Sequence, residues 1–193
     1  MKKFSSVISF VFNPLLFGIY VFSALIFSQK YLLHKEKWIL WSIALFFVTI
    51  LPTIYLFQLK KRKEIRSLDI DDRKKRIVPL LLGFICFSIG FSTLYLFKAP
   101  GIVLGLMFCY VTNTLIVWLI TIFWKVSVHA IGVSGPLMAL YICFGQYVLP
   151  LFIISVLVGI SRIVLNKHTP MQVLVGTGIG FLVTPIQIYY LFL

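Results

Sequence analysis

From Ser5 to its last residues the chain falls into apolar runs of roughly the 20 residues needed to cross a hydrocarbon core. Runs of that length restrict the fold more than anything else in the sequence, because a backbone in lipid must satisfy its own N–H and C=O groups. The expected fold is all-α, a polytopic membrane bundle of six or seven transmembrane helices with an active site at one membrane face. Composition agrees. Of the 193 residues 61% are hydrophobic and 12% charged, against about 25% charged in soluble domains, and the mean hydropathy is +1.04.

Seven spans can be drawn within one integral membrane domain, at about 5–28, 38–58, 78–97, 101–124, 127–146, 148–165 and 170–192. Lys2 and Lys3 ahead of an apolar run also open secretory signal peptides. This run is longer than a signal core and lacks a clear small-x-small cleavage site, so it is read as a span. The joints are short except for the polar loop 58–77, QLKKRKEIRSLDIDDRKKRI, which holds Glu64, Asp69, Asp71 and Asp72, four of the five acidic residues.

Alternating the spans gathers Lys2, Lys3, Lys60, Lys61, Arg62, Lys63, Arg66, Arg73, Lys74, Lys75, Arg76, Lys125, Arg162 and Lys167 on one face. Lys30, Lys35, Lys37 and Lys98 fall on the other. The positive-inside rule makes the first face cytoplasmic, and the cell inner membrane is the expected location. A net charge of +13 is therefore read as topology and lipid contact, with no nucleic-acid partner. Cys86, Cys109 and Cys143 stand singly in apolar runs and read as buried thiols. Pro14 and Pro52 lie inside spans. GIVLG at Gly101–Gly105 and GTGIG at Gly176–Gly180 read as close helix contacts, more than as a dimer seam; a homo-oligomer is open. Thr112, Asn113 and Thr114 interrupt the fourth span and are expected to hydrogen-bond to a neighbouring helix.

Three polar clusters share the basic face: DIDDRKKR at Asp69–Arg76, KVSVH at Lys125–His129 and SRIVLNKH at Ser161–His168. Together they offer guanidinium and ammonium groups, a serine hydroxyl and two histidines. Arginine's planar fork matches phosphate oxygens and lysine adds a point charge. One histidine can attack phosphorus while another protonates the leaving oxygen, without metal or cofactor.

The spacing resembles the type 2 phosphatidic acid phosphatase superfamily, whose third motif reads Ser-Arg-x5-His-x3-Asp. Ser161, Arg162 and His168 fit it. The second motif, Pro-Ser-Gly-His, is kept as Ser127 and His129 within Val126-Ser127-Val128-His129. The first, Lys-x6-Arg-Pro, is matched loosely by Arg66 and Arg73, while Arg76 precedes Pro79; Arg73 and Arg76, closest to the third span, are taken as its pair. The resemblance implies a metal-independent, acid phosphatase-like hydrolase acting on a membrane lipid phosphate or diphosphate, phosphatidate-like or polyprenyl. His168 would be the nucleophile forming a phosphohistidine and His129 the general acid. Arg162, Ser127, Arg73, Arg76 and the additional Lys125 would hold phosphate. Gln172 stands where the family has aspartate: it can orient His168 but brings no charge, and it also completes a capping pattern with Thr169 and Pro170.

Three other readings belong beside this one. Gln172, Val126 and Val128 suggest a catalytically weak or inactive member that binds a phosphorylated lipid or partner. The DIDD stretch suggests a prenyltransferase holding magnesium diphosphate, but no acidic residue follows Asp72 to form a second cluster. A transporter would be expected to show an internal repeat or an acidic residue within a span, and neither is seen.

Overall fold

The structure is a computed structural model that describes residues 1–65 and 67–193. Helix makes up 82% of the chain, and among the described residues there is no strand. Five continuous helical runs are long and apolar enough to cross a membrane: His34–Lys61, Lys74–Leu96, Gly101–Phe123, Val128–Val164 and Pro170–Phe192. A sixth follows if the two N-terminal helices are counted as one bent span. Large apolar side chains such as Phe57, Ile89, Phe123, Leu174 and Tyr190 are exposed on the outside, a surface suited to lipid.

The first expected span is broken. Helix α1 (Lys2–Val11) meets α2 (Pro14–Phe27) at 47°. Asn13 forms the joint because its side chain accepts from Leu15 N at 3.0 Å, and Pro14 takes the first helical position, where its missing N–H costs nothing. Pro14 thus starts a helix; it does not sit inside one.

The next run comprises α3 (His34–Ala44), a π-helical segment at Leu45–Ile50, and α4 (Leu51–Lys61). The C-terminal run has the same construction: α9 (Pro170–Gly178), a π-helical segment at Ile179–Val183, and α10 (Thr184–Phe192). Each π segment lies just ahead of a proline, Pro52 or Pro185. A proline ring clashes with the carbonyl four residues earlier, and the wider π turn makes room for it without ending the helix.

Between these runs lie α5 (Ile77–Leu96), entered through a 3₁₀ turn at Lys74–Arg76, and α6 (Gly101–Phe123), which pack closely together. The expected tie from Asn113 is present, donating to Thr184 Oγ1 at 3.0 Å, and Thr112 donates to Gln187 Oε1 at 2.9 Å. Cys86, Cys109 and Cys143 are free thiols.

The run Val128–Val164 turns back on itself. Helix α7 (Val128–Phe144) leads into a 3₁₀ stretch, Gly145–Leu151, and α8 (Phe152–Val164) returns against α7. Gly145 makes the reversal, with φ at 65°, a conformation for which glycine carries no Cβ penalty. A straight helix of 37 residues would be about 55 Å long. Here Ser127, just ahead of α7, and Arg162, near the end of α8, lie at the same end of the bundle, each bonded to the segment 167–172.

Lipid-embedded helices gain little from the hydrophobic effect against one another, so close packing and small residues hold them together. Gly176 and Gly180 lie against α7, where an added Cβ would come within 2.6 Å of Ser127 O and of Gly135 N respectively. Gly101 and Gly105 lie against Phe192 in the same way. Both small-residue patterns are therefore in use within the chain. Replacing Gly176 with valine should separate the C-terminal helix from α7 and cost about 1–3 kcal/mol or more, seen as a lower unfolding midpoint in detergent.

Candidate functional site

Three loop regions meet at one end of the bundle, the 58–77 loop, the α6–α7 joint and the α8–α9 turn, and Ser9 of α1 reaches them. The most deeply buried charged group there is Arg162, 1% exposed. It sits on the last turn of α8. One guanidinium nitrogen donates to Ser9 Oγ at 2.8 Å and another to Asp69 Oδ2 at 2.6 Å. Its Nε has no partner among the described residues.

His168 is folded back over Arg162 by local backbone geometry. Asn166 adopts φ 55°, Asn166 N donates to Ile163 O, and Lys167 N donates to Arg162 O. This is a Schellman ending of α8, with asparagine in the left-handed position. Thr169 then caps α9: its hydroxyl accepts from Gln172 N at 3.4 Å, and Gln172 Oε1 accepts from Thr169 N at 3.3 Å. The same Oε1 lies 2.9 Å from His168 Nδ1. With two donors converging on it, the oxygen end of the amide faces the ring, so Nδ1 carries the proton and Nε2 keeps its lone pair. Burial, followed by the charge of Arg76, pushes the His168 ring down to about 4, with the Gln172 hydrogen bond opposing. It is neutral at ordinary pH.

His129, at the start of α7, is buried and lies within Coulombic range of Arg162, Asp69 and His168. Ser127 is fully buried and caps that helix: its hydroxyl accepts from Ala130 N at 3.3 Å, and its N–H donates to Gln172 O at 3.1 Å. Helices α7 and α9 therefore both begin at the site, with the positive ends of their dipoles towards it.

The loop arginines part company. Arg76 is 6% exposed and within range of Asp69 and Arg162; its guanidinium donates to Ile70 O at 2.6 Å and Val126 O at 3.3 Å. Arg73 instead donates to Thr121 O and Ile122 O, where it satisfies the C-terminal carbonyls of α6. It is not among the groups lining the cavity. Arg66 lies outside the described residues. Lys125 stands at the rim, its Nζ donating to Lys167 O at 2.7 Å. Burial, then the charge of Arg76, lowers its ammonium from the ordinary value.

The three aspartates of the loop have separate partners. Asp71 pairs with Lys167 at 2.6 Å, Asp72 Oδ1 accepts from Lys74 N at 2.9 Å, and Asp69 pairs with Arg162. Burial alone would raise the Asp69 carboxyl, but Arg162, with His129 and Lys167 adding to it, holds it below its ordinary value of 3.8. Asp69 is the residue whose role the spacing did not disclose: a partner 93 positions away in the sequence leaves no local signature. Ser9 was invisible for the same reason.

The site is thus two buried guanidiniums, Arg162 and Arg76, with the imidazoles of His129 and His168 and the carboxylate of Asp69. Asp69, Arg76, His129 and His168 line a cavity of about 220 Å³ that runs into the bundle between α2, α4, α5, α6 and α7, and Arg162 stands behind Asp69, outside that lining. Burying cations without equal compensation is expensive, and an arrangement of this kind suits an anion attached to an apolar body. No protein-family model, curated protein or solved structure matches the chain.

Asp69→Ala should leave Arg162 without a counter-charge and destabilise the protein by roughly 3–5 kcal/mol, with inorganic phosphate restoring part of the unfolding midpoint. Because the folded Asp69 carboxyl titrates below 3.8, its contribution is complete above that pH and is lost as pH falls through the lower folded value. Proteolysis of the 58–77 loop across that range measures the release.

Proposed function

We propose that the chain is a membrane-embedded lipid phosphate phosphatase, a divergent member of the type 2 phosphatidic acid phosphatase superfamily. The observation that carries this reading is the convergence of Arg76, His129 and the neutral Nε2 of His168 on one largely apolar cavity, with Asp69 between them and the buried Arg162. In this reading the chain crosses the cell inner membrane seven times, the α7–α8 hairpin supplying two passages, and the site faces the cytoplasm.

The substrate phosphate replaces the Asp69 carboxylate on Arg162, and Arg76 with the two helix N-termini carries the rest of its charge. His168 Nε2 attacks phosphorus as the bond to the lipid oxygen breaks. The arriving phosphate places negative charge beside His129 and so favours a proton on its ring, which passes to the leaving oxygen to release the lipid alcohol. Water, deprotonated by His129, then attacks the phosphohistidine. Phosphate leaves and His168 is regenerated. Ser127 and Lys125 position the joint through which these groups meet, and Arg73 supports α6 without touching phosphate.

Gln172 limits the rate in this scheme. Phosphorylation makes the His168 ring cationic, and a neutral amide stabilises that charge less than a carboxylate does. Gln172→Asp should raise phosphate release from phosphatidate by about 10-fold or more and raise the His168 titration midpoint above about 4, followed by ring-proton NMR. His168→Ala should abolish both release and the acid-labile phosphoenzyme; equal release from wild type and His168→Ala removes the assigned nucleophile.

A second reading is a non-catalytic binder of phosphorylated lipid. The Asp69–Arg162 pair favours it, since the resting site already holds an anion. Saturable phosphatidate binding with no phosphoenzyme under any condition would select it.

A further inference from the structure

The end of the bundle opposite the cationic site is unevenly charged. All four of its basic residues, Lys30, Lys35, Lys37 and Lys98, fall in or beside two joints, 28–33 and 97–100. The turn Gly145–Leu151 and the run from Pro170 onward carry no charged side chain. Glu36 is the one acidic side chain at this end, and its carboxylate is taken by the N–H of Leu33 at 2.8 Å. Lys37 Nζ donates to Phe27 O at 3.2 Å. Neither of the two ion pairs among the described residues involves these lysines, so the positive charge of the patch is in surplus.

A groove starts at this patch and runs between α3 and α5. Lys35, Trp38, Ile39, Ser42 and Ile43 form one wall, and Thr93 and Phe97 the other. Lys98 directly follows Phe97, so each wall ends in a lysine. The N-terminus of α3 lies at the same rim, where its dipole adds positive charge. Below the rim the lining is mostly apolar, and the Thr93 hydroxyl is turned to Ile89 O at 2.8 Å. Trp38 is exposed, but its ring is fixed: the indole donates to His34 Nε2 at 2.9 Å, and the ring stands edge-on to Phe27 and Trp41. Lys35 to Ile43 spans about 12 Å along α3, most of the roughly 15 Å of hydrocarbon in one leaflet.

An occupant of this groove must be apolar along its length and anionic at one end. A second copy of the chain fits badly, since a twofold contact sets the lysines of one copy against the same lysines of the other. A zwitterionic lipid brings its own cation with its phosphate and leaves the surplus charge in place. An anionic phospholipid meets both demands.

We infer that the α3–α5 groove binds an anionic phospholipid of the leaflet opposite the cationic site, with its phosphate between Lys35 and Lys98 and one acyl chain along Trp38, Ile39 and Ile43. The groove is separate from the cavity lined by His129 and His168, and the inference stands whether or not the phosphatase reading does.

Trp38 reports on the groove directly. The full chain is placed in bilayers of equal parts phosphatidylglycerol and phosphatidylcholine, with brominated acyl chains on one lipid or on the other, so that surface charge is constant. The Trp38 signal is the difference in fluorescence quenching between the wild type and Trp38→Phe. Brominated phosphatidylglycerol should occupy the groove about fivefold more readily than brominated phosphatidylcholine, the difference that one engaged lysine makes at a membrane surface. Lys35→Gln should reduce the preference to about twofold or less, and Lys35→Gln with Lys98→Gln should abolish it. Lys60→Gln with Lys61→Gln, at the other end of the bundle, should leave it unchanged. Equal quenching by the two lipids overturns the inference, as does a preference that survives substitution of both Lys35 and Lys98. Absence of quenching by either lipid, in protein that sediments as a dimer, means that a second copy covers the groove and overturns it as well.

Discussion

The ion pair between Arg162 and Asp69 ties this end of the molecule together. A guanidinium 1% exposed in a largely apolar bundle is tolerable only if its charge and donors are met. Meeting them draws the polar loop onto α8 through Asp69 and brings α1 alongside through Ser9. The cost of burying the charge therefore becomes organisation: three segments remote in sequence must be in place together. The compensation is incomplete, since Nε is unpaired among the described residues and Arg76 adds a second buried cation close by. That surplus of positive charge is more than a structural ion pair leaves, and it is the basis of the proposed phosphate site.

Away from this end, the bundle relies on shape. Glycine lets the C-terminal helix pass close to the start of α7, and π turns let two helices carry proline without breaking. Neither device gains from expelling water, which suits helices whose outer surfaces already meet hydrocarbon.

The sequence conveyed the helices well because their signal is local. Apolar length located the runs, the Thr169-Pro170-Gln172 pattern marked the start of α9, and Asn113 was recognisable as a tie to a neighbour. What it concealed depends on three-dimensional closure. The break at Asn13 was masked by continuous apolarity on both sides, although Asn-Pro is a capping signal. Arg73 and Arg76 stand one 3₁₀ turn apart and so share a face, yet one ends on the carbonyls of α6 and the other in the site. Spacing alone could not choose between them. Gln172 was ambiguous between capping and orienting a histidine, and a single oxygen, Oε1, faces both partners.

The backbone bond from Ser127 to Gln172 has a mechanical meaning. Gln172 orients His168 through its side chain while its carbonyl holds the residue that begins the helix of His129. The two imidazoles are thereby mounted on one rigid frame, and tilting the C-terminal helix would carry both. Asp69 reaches the frame from outside, on a loop joined to it by exchangeable ionic contacts. In the phosphatase reading, adaptation to substrates of different size falls to that loop, while the shared frame sets the spacing between the histidines.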